Sequence, residues 1–234
     1  YLGLDSVRYL SVLGVCWVLL MFNFVPKIYS ETAGKSGSNF IKTFKDILTN
    51  RKLNILNIIA MLKTLVTTST SILLPFLWKS IGYKPFHIGA ALFAFSFAAG
   101  IGSFISRSVE NKVGAQKVFY FSMVSTLPLM IAFAFLYQHY PILSFAVYVL
   151  MGFCTGMAMP ITMVMAQSVL PQYKSIIGGF INGFSWGVVA LVMSVVGFVA
   201  QAKGIVPVLL VITLIPAVSS YFILSRLFGE ETAA

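Results

Sequence analysis

Seven uninterrupted apolar runs, at about 9–25, 53–78, 87–106, 118–137, 142–167, 176–202 and 205–227, constrain this 234-residue chain more than any other feature. A helix needs about 20 apolar residues to cross a hydrocarbon core roughly 30 Å thick, and each run is close to or above that length. The runs are continuous, whereas the strands of a membrane barrel alternate in segments of about ten residues. The expected fold is therefore an all-α membrane protein of seven transmembrane helices. Composition agrees: 59% of residues are hydrophobic and only 9% are charged, too few to give water a polar surface. The first run begins with Asp5 and Arg8 and has no small-residue cleavage pattern after it, so it does not read as a signal peptide.

The net charge of +10 comes from residues in the gaps between runs, not from one amphipathic face, so no nucleic-acid partner is expected. Eleven of the sixteen basic residues fall on one side: Lys27, Lys35, Lys42, Lys45, Arg51, Lys52, Arg107, Lys112, Lys117, Lys174 and Arg226. The excess of lysine and arginine marks that side as cytoplasmic, and with it the C-terminus of a multi-pass protein. Residues 30–39 (SETAGKSGSN) have linker composition, and 40–53 alternate Lys, Thr and Asp with Phe, Ile and Leu, as a surface-lying amphipathic helix does. The expected organisation is 1–26 as the last helix of an N-terminal bundle missing from this chain, 27–52 as a basic cytoplasmic linker, and 53–234 as a six-helix bundle. The partners that follow are the lipid bilayer, the missing bundle and a small-molecule substrate.

Several features suit a bundle whose helices move. Gly179, Gly183 and Gly187 recur every fourth residue, and Gly152 with Gly156 repeats the spacing; such positions let neighbouring backbones approach closely, in static bundles as well as sliding ones. Pro128, Pro160 and Pro216 lie well inside runs, where each removes a backbone hydrogen bond and is expected to kink its helix.

Lys63 is about ten residues into its run, where an unpaired ammonium costs roughly 2.5–3.5 kcal/mol on insertion scales. Thr67 and Thr70 follow at i+4 and i+7, with Thr64 and Ser71 nearby, so one stripe of this helix is polar. The functional reading has Lys63 facing a wet cavity and an anionic substrate group; the alternatives are snorkelling to an interface or pairing with an acid elsewhere. Thr155, Met159 and Thr162 share a face of the fifth run, and Asn182, Ser185 and Trp186 form a polar–aromatic cluster in the sixth. None of the six acidic residues lies well inside a run, so the titrating carboxylate of a proton-coupled carrier would have to come from outside this chain. No P-loop, metal-binding or catalytic constellation stands out, so neither an enzyme nor a cofactor or metal site is expected.

The loop between the third and fourth runs, 102–118, resembles the cytoplasmic G-x-x-x-D-[RK]-x-G-[RK] motif of the major facilitator superfamily. Lys112 and Gly114 match, Asn111 stands for the acid and Ala115 for a basic residue. Ala166-Gln-Ser-Val-Leu-Pro171, followed by Gly178, Gly179, Gly183 and Gly187, resembles the A-Q-x-x-L-P turn and glycine-spaced helix of the fosmidomycin-resistance branch. Lys63 and Leu74-Pro75-Phe76-Leu77 are similar to that branch's basic residue and F-L-P element, although Arg is commoner there and the glycine expected near Lys174–Ser175 is absent. The resemblance implies the C-terminal half of a secondary transporter in a bacterial inner membrane, with substrate at the midplane between two bundles. It implies efflux by proton antiport, as in drug resistance, of a small amphiphilic or anionic compound. The first and fourth helices of each half line the cavity in that family, which here brings Lys63 to face Thr155–Thr162. Uptake by the same fold, a seven-helix receptor and a membrane-embedded assembly factor remain the other readings of the runs.

Overall fold

A computed structural model of the chain describes residues 10–24 and 40–228, and among these every element is helical. The elements are α1 (Leu10–Phe24), α2 (Phe40–Thr49), α3 (Arg51–Ser80), α4 (Pro85–Val113), α5 (Ala115–Val124), α6 (Thr126–Leu136), α7 (Pro141–Val169), α8 (Lys174–Lys203) and α9 (Ile205–Phe228). The linker stretch 30–39, with Lys27, Lys35 and Arg8, lies outside the described residues. The chain divides into two compact units, 1–44 and 45–234. In the first, α1 is an apolar helix of 15 residues carrying Trp17 and Val18 exposed.

Five stretches among the described residues are long and apolar enough to cross a membrane: Arg51–Ser80, Pro85–Val113, Ala115–Leu136, Pro141–Val169 and Pro171–Lys203. The seven expected from sequence are thus met at five. Ile205–Ser220 is apolar but shorter, and the 15 residues of α1 rise only about 22 Å. Where a water-soluble bundle would be polar, these helices present Phe93, Phe104, Phe135, Leu191 and Phe198 outward. Phenylalanines 70–87% exposed on several helices suit a surrounding of hydrocarbon.

Two boundaries differ from the runs, each for a local reason. The expected third loop is mostly helix: α4 continues through Lys112, and the reversal is made at Gly114 alone, whose φ of 89° lies where other residues are strained. Asn111 and Lys112 therefore ride exposed on the last turn of α4, next to an exposed Arg107–Glu110 pair at 3.3 Å. The span Ala115–Leu136 is interrupted as helix only at Ser125, which keeps φ −63° and ψ −24°, and Pro128 falls in the first turn of α6, where a missing N–H is tolerated. Pro160 and Pro216 do lie inside α7 and α9, as Pro75 does inside α3.

In the second unit, α3 packs against α7, α8 and α9, and α4 lies along α7. Two buried clusters bracket the middle of α3. Near its start, Ile47 of α2 joins Leu53, Leu56 and Ile59, with Ile177 and Ile181 of α8. Toward its end, Val66, Leu74 and Trp78 meet Phe133, Tyr148 and Leu209. Tyr148 stacks on Phe95 at 4.6 Å and takes Trp78 edge-on at 5.1 Å, pairs worth roughly 0.5–1.5 kcal/mol each beyond burial. Lys63 sits between the clusters.

The α4–α7 contact is nearly backbone to backbone. A side chain at Gly102, Gly152 or Gly156 would collide with the carbonyls of Phe153, Phe95 or Ala99. The Ser103 hydroxyl uses the approach to donate to the Gly156 carbonyl at 2.8 Å. Small residues and interhelical hydrogen bonds are what draw helices together where lipid removes the hydrophobic drive.

Candidate functional site

A cavity of about 540 Å³ opens between α3, α4, α7 and α8. Seven of the eight residues expected to meet a substrate line it: Lys63 and Thr67 from α3, Thr155, Met159 and Thr162 from α7, Asn182 and Trp186 from α8. The eighth, Thr70, is off the wall. Its side chain is fully buried and donates to the Val66 carbonyl at 2.8 Å and the Thr67 carbonyl at 3.0 Å, on the flank of α3 turned into the packed core. Ser185 also parts from its sequence neighbours: it points into the bundle and donates to Asn57 Oδ1 at 3.1 Å.

Lys63 is 9% exposed, and among the described residues no carboxylate comes within 4.0 Å of it. What it faces instead is a row of hydroxyls. Thr64, Thr67, Thr68 and Ser71 line the cavity beside it from one face of α3, at the i, i+3, i+4 and i+7 spacing counted from Thr64. The Thr67 hydroxyl is spent on the carbonyls of Lys63 (3.0 Å) and Thr64 (3.1 Å). The Thr68 hydroxyl is buried with no partner. Thr155 and Thr162 donate to their own helix, to Gly152 (2.9 Å) and Ala158 (2.8 Å).

The α4 wall escaped the sequence reading. Ser96, Ala99, Gly100 and Ser103 present a narrow small-residue face there, with Phe95 beside it. Its signal was the same i, i+3, i+4, i+7 spacing, hidden within a run that is apolar throughout.

The glycines expected to pack α8 do something different. Gly179, Gly183 and Gly187 are exposed, and no heavy atom of the bundle would come within 4 Å of a side chain placed on them. Close packing is carried by Gly102, Gly152 and Gly156 instead, because the longest intimate contact runs between α4 and α7. Asn182 and Trp186 stand on the open side of α8 with the glycines, at the cavity edge. At the start of the same helix, Gln167 reaches across the Pro171–Tyr173 turn to the Lys174 carbonyl at 3.5 Å, and Gly178 leaves room for its amide.

The family model described as the Major Facilitator Superfamily matches this chain over residues 9–194 and again over 56–233. The chain belongs to the Major Facilitator Superfamily. Its relatives there are transporters rather than enzymes. It is 29% identical over 114 residues to the fosmidomycin resistance protein of Escherichia coli (strain K12), a match covering 49% of this chain and 27% of that protein. It is 26% identical over 125 residues to the uncharacterized MFS-type transporter YfnC of Bacillus subtilis (strain 168), covering 53% of this chain and 30% of that one. The matched stretch thus spans less than a third of either relative's length. No solved structure matches the chain. In a superfamily of small-molecule carriers, a hydroxyl-lined cavity holding one unpaired cation is the candidate substrate site.

Proposed function

We propose that this chain supplies the C-terminal bundle of a secondary transporter that exports a small amphiphilic or anionic compound in exchange for protons. In this reading 53–234 form the bundle, 27–52 the cytoplasmic linker, and 1–26 the last helix of a preceding bundle. The protein spans a bacterial inner membrane with its C-terminus in the cytoplasm. The observation that carries the proposal is Lys63, nearly buried, without an acidic partner among the described residues, and facing the cavity. A lone ammonium at such depth is costly, and the cost is offset when it meets a substrate anion or a wet pathway. The open α8 face, with Gly179, Gly183 and Gly187, is the smooth surface against which a second bundle would rock during alternating access. Outward direction draws on the likeness to the fosmidomycin resistance protein, and the coupling carboxylate would come from the other bundle.

Fosmidomycin is accordingly the first compound to test. Cells expressing the full-length protein are expected to grow at higher fosmidomycin than control cells, and Lys63→Ala to remove that advantage at equal membrane abundance. Undiminished resistance in the variant would return Lys63 to a structural role, and no resistance from the parent protein would overturn efflux of that compound.

A further inference from the structure

Hydroxyl groups line the cavity on three helices, yet they are not equivalent, and the difference gives the cavity a polar pole and an apolar pole. On α7 and the adjoining part of α4 the donors are used up. Thr155 donates to Gly152, Thr162 to Ala158 and Ser103 to Gly156, at 2.8–2.9 Å, so toward the cavity each offers only acceptor lone pairs. Lone pairs repel an anion. The residues between them are Phe95, Gly156, Met159 and Met163, which suit an apolar or aromatic body.

On the α3 side the Thr67 hydroxyl is likewise spent on its own helix, but other donors remain. Lys63 brings three N–H donors with no acid within 4.0 Å among the described residues. The Thr64 hydroxyl, next to it on the wall, has no hydrogen-bond partner among the described residues, and neither has that of Ser96. One turn further, the Thr68 oxygen is buried and unpaired, a condition that native structures rarely tolerate unless something binds there. Free donors therefore share this wall with the one cation, and no carboxylate of the described residues lines it.

We infer that the cavity takes an amphiphile with an oxyanion head and an apolar body, the head held against α3 by Lys63 and Thr64, the body lying against Met159 and Met163. The inference rests on the transporter reading of the same cavity and narrows it to compounds that carry an oxyanion head. Thr64 is a specificity-determining residue for the head.

The test compares 4-phenylbutyrate with its neutral counterpart 4-phenylbutyramide, which share a body and differ in the head. Binding to the full-length protein in lipid nanodiscs is followed by tryptophan fluorescence, with Trp186 on the cavity wall as reporter. The carboxylate is expected to bind about tenfold more tightly than the amide, or better, a difference of about 1.4 kcal/mol. Thr64→Val, nearly isosteric, is expected to narrow that ratio by about threefold to tenfold, the net effect of one typical hydrogen bond, and Thr64→Ser to restore it. Equal affinity for the two probes, no binding of either, or a ratio unmoved by Thr64→Val overturns the head assignment. Fosmidomycin resistance conferred by the parent protein alongside any of these results would leave the transporter reading standing; no resistance from the parent protein would overturn efflux of that compound as well.

Discussion

The Ser185 hydroxyl donates to Asn57 Oδ1 at 3.1 Å, a buried bond between residues 128 positions apart that ties α8 to α3. Both groups are almost fully enclosed, at 1% and 4% exposure, so neither has water to fall back on. Ser185→Ala leaves the Asn57 carbonyl oxygen unpaired and should lower stability by about 1–3 kcal/mol. A double-mutant cycle with Asn57→Ala, read by thermal unfolding in detergent, should return a coupling of about 1 kcal/mol; additive losses would mean that the bond contributes nothing of its own.

Two glycines distinguish packing from motion. A side chain at Gly156 meets the Ala99 backbone, which cannot swing aside, whereas one at Gly183 meets nothing in the bundle. Gly156→Leu is therefore expected to cost at least about 1–3 kcal/mol and to reduce the folded yield. Gly183→Leu should leave yield unchanged and slow transport, since its open face is where the second bundle would pass. Wild-type transport in Gly183→Leu would remove that role from the α8 glycines.

At Gly114 the backbone has φ 89° and ψ 149°, a region open essentially to glycine alone. Gly114→Ala should destabilise the α4–α5 turn by about 1–3 kcal/mol, visible as a lower unfolding midpoint. If the midpoint is unaltered, the chain can reverse at this point in another conformation.

Much of this fold follows from patterns local to one helix. Run length and the Gly152–Gly156 spacing give the spans and part of the close contact, and the Lys63 stripe gives one wall of the cavity. Where several apolar faces compete, the chain alone does not say which is turned to a neighbour and which to lipid or a second bundle. For that reason the α8 glycines were expected to pack within the bundle, and the small-residue face of α4 went unnoticed. Thr70 misled because the cavity face of α3 is centred on Thr64, Thr67, Thr68 and Ser71, whereas Thr70, about 20° from Lys63 around the axis, lies on the flank turned into the core. The head and body poles were invisible in sequence, since they depend on which hydroxyls donate to their own carbonyls. A threonine looks the same in both states until the rotamer is known.

Lys63 carries the central claim, and solute-driven proton movement measures it most directly. The full-length protein would be reconstituted in vesicles containing a pH-sensitive dye, with fosmidomycin added as solute. Wild type is expected to move protons on addition, Lys63→Arg to retain part of the flux, and Lys63→Ala to lose it. The Ala variant should also unfold at a higher temperature than wild type, because removing an unpaired intramembrane charge relieves up to about 2.5–3.5 kcal/mol. Loss of flux with unchanged or greater stability is the predicted result; wild-type flux from Lys63→Ala would contradict the account.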